Sequence, residues 1–201
     1  MFDATVLNTT RSLIDKLSRA IDSKGIKADT LTWTGFIVGL ISVPFIIFGF
    51  SEWAVVTILL NRLFDGLDGA VARIQGTTDR GAFLDIALDF IFYASIPLAF
   101  AISQPDVNAL AAACVLFTFI GTGTSFLAFA ILAQKHHMKS TAFPRKGFFY
   151  LGGLTEATET ILFFVLSCLI PTLFNELAYG FAALCLITTV LRISAGTRAF
   201  N

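Results

Sequence analysis

Charged residues are scarce in this sequence. Only 14% of its 201 residues are charged, whereas 56% are hydrophobic, and the mean hydropathy is +0.79. This composition excludes an ordinary soluble domain. The 14 lysines and arginines balance the 14 aspartates and glutamates, so the chain also lacks the net positive charge that nucleic-acid binding favours. The composition therefore predicts an integral membrane protein without a nucleic-acid partner.

Cysteine is also rare, and the spacing of the three cysteines indicates neither a disulfide framework nor a metal site. Cys114, Cys168 and Cys185 each lie in an apolar run, without CxxC or metal-ligand spacing. They indicate small buried side chains and exclude a disulfide framework. The first residues, Met-Phe-Asp-Ala-Thr, lack the basic region and apolar core of a signal peptide, so we expect no cleavable leader. We also find no internal repeat and no soluble second domain.

The chain contains several long apolar segments. Each is close to the length of about 20 residues that a membrane-spanning helix needs. The second segment is apolar only to Leu60, but we include it because its polar half carries the acidic motif described below. The six predicted spans cover residues 31–50, 53–73, 81–102, 109–133, 148–170 and 173–192. Pro44 is expected to kink the first of them.

The predicted fold is thus all-α: one polytopic membrane domain over residues 1–201, with a juxtamembrane segment at 1–30 and a six-helix bundle at 31–192. Residues 5–22 carry apolar side chains at helical spacing, with basic residues between them. They form an amphipathic helix that lies in the membrane interface, packs on the bundle, or does both. Asp29 or Thr30 is the expected N-cap of the first span.

The distribution of basic residues predicts the orientation. The 14 lysines and arginines fall in the N-terminal segment, the 74–80 link and the motif helices on either side of it, the 134–147 loop, or the C-terminal end; Arg62 lies inside the second span. The turns near residues 50–52, 103–108 and 171–176 hold none. By the positive-inside rule, both termini and the motif end of the bundle are cytoplasmic. We therefore expect a multi-pass protein of a bacterial or archaeal cytoplasmic membrane.

Four aspartates lie where the second predicted helix ends and the third begins. At about 100° per residue, Asp65 and Asp68 are about 60° apart around one helix. Asp85 and Asp89 are about 40° apart around the next helix, so the two pairs can face each other. Small residues share these faces, namely Gly69, Ala72 and Gly81. The acidic surface is therefore open to a closely approaching ligand.

These four carboxylates cannot lie in lipid. Each costs roughly 2.5–3.5 kcal/mol at the bilayer centre, so four would cost about 10 kcal/mol, comparable with the stability of a whole domain. The cluster becomes tolerable if it lines a hydrated cavity and binds hard divalent cations, which prefer carboxylate oxygens. Two cations sharing such ligands could clamp a pyrophosphate. An ion-binding or proton-relay cluster in a small transporter is the remote, non-enzymatic alternative.

The motif resembles the signature of the CDP-alcohol phosphotransferases, integral membrane enzymes of phospholipid synthesis. The pattern Asp-x-x-Asp-Gly-x-x-Ala-Arg, a short spacer and Gly-x-x-x-Asp-x-x-x-Asp is complete. Its eight positions are Asp65, Asp68, Gly69, Ala72, Arg73, Gly81, Asp85 and Asp89. The resemblance implies six transmembrane helices, a homodimer and two Mg²⁺ or Mn²⁺ ions. It also implies transfer of a substituted phosphoryl group from a CDP-linked donor to an alcohol, with release of CMP.

The resemblance assigns roles to the motif residues. All four aspartates are expected metal ligands, and Asp89 is also the expected general base that takes the proton of the acceptor hydroxyl. The small residues of the motif would leave room for the CDP moiety, and Arg73 could pair with a phosphate or steady the aspartates. Thr32 matches part of an Asn-x-x-Thr pattern that contributes to the nucleotide site in the family, but Asp29 replaces its Asn. Asn61 faces the same stripe, either as a helix–helix hydrogen bond or as a ligand contact.

The acceptor is less well defined. Glu156 and Glu159 line an acceptor pocket or pair with Arg73 or Arg192. The basic residues near the 134–147 loop are topology determinants, or they recognise a phosphorylated alcohol. The leading hypothesis is transfer from CDP-diacylglycerol to a small polar alcohol. Within the family, the alternative is a CDP-aminoalcohol donor, carrying choline or ethanolamine, with diacylglycerol as acceptor.

Overall fold

The computed structural model describes residues 3–136 and 153–200, and all the regular structure in these two ranges is helical. Short turns and links join the helices in sequence order. Their bounds are α1 Asp3–Asp22, α2 Ala28–Leu40, α3 Ser42–Ile47, α4 Ser51–Gln75, α5 Asp79–Ser103, α6 Pro105–Lys135, α7 Ala157–Leu169 and α8 Phe174–Ala199. A single 3₁₀ turn, Pro171–Leu173, precedes α8. The prediction of an all-α protein is confirmed.

The first predicted span is broken, as its proline suggested. Helix α2 ends at Leu40, and α3 begins at Ser42, two residues before Pro44. Proline has no N–H to donate to the carbonyl four residues earlier, so the series of helical backbone hydrogen bonds is interrupted at this point. The start of α2 differs from the prediction: Lys27 is the N-cap and makes no side-chain cap bond, so neither Asp29 nor Thr30 has that role.

A short link sets the two halves of the acidic motif against each other. Gly76 ends α4 with φ of 94°, a conformation that favours glycine. Thr78 then caps α5, and its hydroxyl oxygen accepts a hydrogen bond from the Gly81 N–H at 3.0 Å. The chain therefore turns within three residues, and α4 and α5 approach each other through side chains of the motif rather than by close backbone packing.

Helices α2 and α3 pack against both α4 and α5. The approach of α2 to α4 is close because two glycines lie in the contact. A Cβ on Gly35 would lie 2.7 Å from Phe64 Cβ, and one on Gly39 would lie 2.9 Å from Asn61 Nδ2. Helix α2 therefore forms the wall that joins the two motif helices.

The main core is rich in phenylalanine and lies between α3, α4, α5, α6, α7 and α8. Phe100 stacks on Phe174 with ring centroids 4.3 Å apart, and Phe163 stacks on Phe181 at 4.5 Å. A smaller cluster near the motif end contains Leu31, Leu67 and Val71, with Ile14 and Ile21 of α1 packed on it. Helix α1 therefore packs on the bundle, while Leu13 and Leu17 of the same helix are exposed.

Four helical segments in the described residues are long and apolar enough to cross a membrane: Ala28–Ile47, Asp79–Ser103, Pro105–Lys135 and Pro171–Ala199. Most of their surface is apolar but not buried in the bundle, as a lipid-facing surface requires. Helix α4 has the length but not the hydropathy, because its second half carries the motif. The structure thus supports four spans directly and does not establish six.

The predicted span at 148–170 starts too early. Helix α7 begins at Ala157 and has 13 residues, and residues 153–156 are not helical. Residues 148–152 lie outside the described part of the chain. The helix begins there because Glu156 and Glu159 form a capping box, each side chain accepting from a backbone N–H of the other's turn.

Candidate metal centre

Three of the four motif aspartates meet between α4 and α5. One carboxylate oxygen from each of Asp65, Asp68 and Asp85 lies within 4.8 Å of the others. Asp68 is buried, Asp65 is half-buried and Asp85 is exposed, so the group extends from the helix packing to the surface. Three carboxylates at this separation repel one another strongly unless cations bind between them. The oxygen-only ligand set suits a hard divalent cation such as Mg²⁺ or Mn²⁺.

The acids line a small open cleft that three helices share. Helix α2 contributes one wall, and α4 and α5 contribute the acids. Its lining residues are Thr32, Gly35, Phe36, Asn61, Asp65, Asp68, Asp85, Leu88 and Asp89. Phe36 and Leu88 add apolar surface beside the charged oxygens. A charged head group that continues into an apolar portion can therefore approach the acids along this surface.

Asp89 lines the same pocket but is not in the three-carboxylate group. Its Oδ1 atom accepts a hydrogen bond from Arg62 Nη2 at 2.8 Å. The same nitrogen lies 3.3 Å from Asp65 Oδ1. Arg62 therefore bridges one acid of each motif helix. The expectation that Asp89 is also a metal ligand still depends on the family resemblance alone.

Arg62 has a partner for each of its three nitrogens. In addition to the carboxylates, Nη1 donates to the Tyr93 hydroxyl at 2.9 Å, and Nε donates to Asn61 Oδ1 at 3.3 Å. The guanidinium carbon lies 5.5 Å from the centroid of the Tyr93 ring. Since its side chain is only 17% exposed, this arginine is held in one position by hydrogen bonds and ring contact.

The small motif residues keep the acidic face open. A Cβ on Gly69 would meet only Arg73 Nη1, at 3.5 Å, and Ala72 is half-buried on the same helix. A Cβ on Gly81 would lie 3.4 Å from Asp29 Oδ1. Arg73 is exposed, so it can reach an anion bound outside the helices. Asp29 lies beside Gly81, and its Oδ2 pairs with Arg80 Nε at 3.4 Å.

Thr32 and Asn61, the two other predicted nucleotide contacts, both line the pocket. Thr32 donates to the Ala28 carbonyl at 3.2 Å and lies within hydrogen-bonding range of Asp68. Asn61 is buried, and its Nδ2 donates to the Gly35 carbonyl at 3.0 Å. The helix–helix alternative for Asn61 therefore has a direct contact in the structure.

The candidate acceptor residues lie away from this pocket. Glu156 and Glu159 cap α7, so part of their hydrogen-bonding capacity serves the helix end. Arg192 is buried on α8 and donates to the Thr122 carbonyl at 3.0 Å. Of the basic residues near the 134–147 loop, Lys139, Arg145 and Lys146 lie outside the described residues.

The match to known proteins agrees with the motif. Residues 26–192 match the model of the family described as CDP-alcohol phosphatidyltransferase. This chain belongs to the CDP-alcohol phosphatidyltransferase family. It is also 50% identical over 196 residues to the inner membrane protein YnjF of Escherichia coli strain K12, a match covering 98% of this chain and 95% of YnjF. It is therefore a transferase of a divalent-metal-dependent family.

Solved structures share the fold. The phosphatidylinositol phosphate synthase PgsA1 of Mycobacterium tuberculosis, with CDP-DAG bound, superposes with a TM-score of 0.74 over 92% of this chain and 94% of that one, at 20% identity. The same enzyme in complex with manganese and citrate gives a TM-score of 0.70 over 91% and 88% of the two chains, also at 20% identity. At this identity the likeness establishes the arrangement of helices in the family.

Sequence reasoning did not identify the role of Arg62 or of Tyr93. A signal was present, because an arginine inside a membrane-length helix requires an acidic partner or a water-filled cavity. Arg62 lies three residues before Asp65, and Tyr93 lies four residues after Asp89, so each is one turn from a motif acid. The spacing could have shown that both residues lie beside the motif. It could not show that they contact each other across two helices.

Proposed function

We propose that this protein transfers the phosphatidyl group of CDP-diacylglycerol to the hydroxyl of a small polar alcohol and releases CMP. The observation that carries the proposal is the group of three carboxylates, whose oxygens lie within 4.8 Å of one another at one end of an apolar bundle. A lipid-linked nucleotide needs such a place, because its head group is water-soluble and its acyl chains remain in the bilayer. PgsA1, which shares this fold, has been solved with CDP-DAG bound.

The three-carboxylate group fits the metal requirement of the family. We assign Asp65, Asp68 and Asp85 as the residues that hold Mg²⁺ or Mn²⁺, with two ions as the resemblance implies. Bound there, the ions would neutralise the acids and supply positive charge to the pyrophosphate of the donor. PgsA1 has been solved with manganese, a cation that prefers the same ligand chemistry.

The protein's own residues position the reactants and move one proton. The acceptor oxygen forms a bond to the phosphorus of the phosphatidyl group, the bond from that phosphorus to the CMP oxygen breaks, and the proton goes to Asp89. Asp89 suits this role because it lines the pocket beside the three acids and is fixed by Arg62. Gly69, Ala72 and Gly81 leave space for the cytidine and phosphates, and Arg73 can pair with a phosphate oxygen.

The proposed setting is a six-span membrane domain with its active site and both termini in the cytoplasm. The other two spans would come from α4, whose hydropathy is too low, and from α7, which is apolar but has only 13 residues in the described part of the chain. Helix α4 has 25 residues, about 37 Å at 1.5 Å per residue, which is enough to cross the hydrocarbon core. The exposed Leu13 and Leu17 of α1 would rest in the interface. A homodimer follows from the family resemblance.

The test is CMP release by the purified protein. In detergent or nanodiscs, it is mixed with CDP-diacylglycerol, a panel of alcohols with and without phosphate, and Mg²⁺ or Mn²⁺. Release that requires both cation and alcohol supports the proposal, and the alcohol that gives product identifies the acceptor. CDP-choline or CDP-ethanolamine with diacylglycerol tests the reversed arrangement. Absence of CMP with every donor and acceptor pair would refute the enzymatic assignment.

A matched pair of variants tests the site. Asp85→Asn removes one carboxylate of the metal group and is expected to lower kcat by about 1000-fold or more, since the metal would lose a charged ligand. Asp106→Asn makes the same chemical change in the first turn of α6, beyond the far end of the 25-residue helix α5, and is expected to leave kcat unchanged. Both should be recovered from membranes in equal amounts. Full activity of Asp85→Asn would disprove its assigned role.

A further inference from the structure

Gln75 is the last residue of α4, and it is neither a motif residue nor part of the pocket lining. Its side chain nevertheless makes three hydrogen bonds to the chain between α1 and α2. Nε2 donates to Asp22 Oδ1 at 2.9 Å and to the Ile26 carbonyl at 2.8 Å, while Oε1 accepts from the Ala28 N–H at 3.2 Å. One side chain therefore joins the end of α1, the following link and the first residue of α2 to the end of the acidic helix α4.

The bond from Ala28 completes the start of α2. The first N–H groups of a helix have no partner within that helix, and a side chain close by in the sequence usually caps them. Lys27, the N-cap residue of α2, makes no side-chain cap bond. Gln75, which is 47 residues away in the sequence, accepts from the Ala28 N–H instead. The start of α2 is therefore held by α4 and not by its own N-cap.

The first turn of α2 leads directly to the acids. Thr32 donates to the Ala28 carbonyl at 3.2 Å, so the residue that Gln75 holds is also the one that Thr32 contacts. Thr32 lines the pocket and lies within hydrogen-bonding range of Asp68, the buried acid of the metal group. A short series of contacts thus connects Gln75 to the site through Ala28 and Thr32.

Other contacts between α2 and α4 lie further along α2. Asn61 donates to the Gly35 carbonyl at 3.0 Å, and Gly39 approaches the side chain of Asn61 closely. Gly35 follows Ala28 by seven residues, which is about 10 Å along a helix. Loss of the Gln75 bonds would therefore let the first two turns of α2 shift relative to α4, although the rest of α2 would stay in place.

We infer that Gln75 is a positioning residue that fixes the first turns of α2 against α4 and so sets the width of the pocket in which the donor binds. This inference deepens the proposed function and rests on it for the identity of the donor. Because Gln75 does not contact the acids, its loss should weaken donor binding and leave the chemical step unchanged once the donor is bound. A residue that only stabilised the fold would lower the melting temperature without separating donor binding from turnover.

The experiment measures equilibrium binding of radiolabelled CDP-diacylglycerol to the purified full-length protein in detergent, with Mn²⁺ and without acceptor. KM and kcat are then measured in the CMP assay. Gln75→Leu should weaken donor binding and raise KM for CDP-diacylglycerol by about tenfold, with kcat within about twofold of the wild type, since a small displacement of a binding wall has an effect of this order. Gln104→Leu, a change at an exposed glutamine at the opposite end of α5, should change none of these quantities.

An exchange of donor and acceptor separates this role from a loss of stability. Gln75→Glu keeps an oxygen for the Ala28 N–H but has no hydrogen to donate to Asp22 or Ile26, so it should also bind CDP-diacylglycerol more weakly. Asp22→Asn can still accept from Gln75 and should bind the donor as the wild type does. In Gln75→Glu/Asp22→Asn the new amide can donate to the new carboxylate, so donor binding should return to within about threefold of the wild-type value.

Each outcome of these measurements has a definite meaning. Equal donor binding by the wild type and Gln75→Leu would overturn the inference and leave the proposed function standing. A double variant that binds the donor as weakly as Gln75→Glu would overturn it too, because restoring the contact would then have no effect. If the wild type itself does not bind CDP-diacylglycerol, the proposed function fails and this inference fails with it. Because binding is measured without an acceptor, the result does not depend on CMP release.

Discussion

Gly39 offers a sharp test of how the site is held together. A Cβ added there would lie 2.9 Å from Asn61 Nδ2 and 2.9 Å from Cδ2 and Cε2 of Phe92. These distances are well inside normal contact, and neither neighbour can move freely. Phe92 is fully buried and packs edge-on against Phe164, and Asn61 is tied to the Gly35 carbonyl. Gly39→Ala must therefore move α2 away from α4 and α5.

The size of the effect follows from three contributions. Overpacking costs about 1–3 kcal/mol, and the loss of the Asn61 hydrogen bond costs about 1 kcal/mol. The higher helix propensity of alanine offsets about 1 kcal/mol of this. The net destabilisation of about 2 kcal/mol should lower the melting temperature by roughly 4–8 °C for a chain of this length. Transfer activity should fall too, because Asn61 lines the pocket.

The assay is thermal unfolding of the purified protein in detergent, followed by tryptophan fluorescence. Gly180→Ala is the matched control, since a Cβ at this helical glycine of α8 would meet no atom within 4 Å. It should unfold at or slightly above the wild-type temperature. If Gly39→Ala were as stable and as active as Gly180→Ala, α2 would not approach the motif helices as closely as the structure shows.

Two other substitutions test the ends of helices. Gln75→Leu removes three hydrogen bonds that join the end of α4 to the segment between α1 and α2. Trypsin should then cut the basic loop at 23–27 faster than in the wild type, whereas Gln104→Leu, a change at an exposed glutamine, should leave the rate of cleavage unchanged. Equal rates in the two variants would contradict this role of Gln75. Glu159→Ala removes the bond to the Glu156 N–H at 3.1 Å and should destabilise the protein by about 0.5–2 kcal/mol, measured by thermal unfolding. Glu159→Gln keeps an oxygen that can accept this bond and should lose less, so equal losses in the two variants would argue against the cap.

Helix existence was predictable here because apolar runs and their interruptions are local properties of the chain. The kink at Pro44 could be predicted for the same reason, since a missing N–H acts within one turn. The start of α7 could not be predicted in this way. Its capping box depends on two glutamates accepting from backbone N–H groups, whereas their position in an apolar segment suggested an acceptor pocket or an ion pair with Arg73 or Arg192. Local polarity does not reveal which hydrogen-bond partner a side chain finds.

The sequence by itself determined the class of the protein and the acids of its site, because the low charge, the long apolar runs and the eight motif residues are properties of composition and spacing. Only the tertiary structure decided what those acids contact. Asp65, Asp68 and Asp85 converge, and Arg62 joins Asp65 of α4 to Asp89 of α5. These contacts depend on distances between atoms of two helices. Helical spacing fixes the face on which a side chain lies, but not the group it meets on the neighbouring helix.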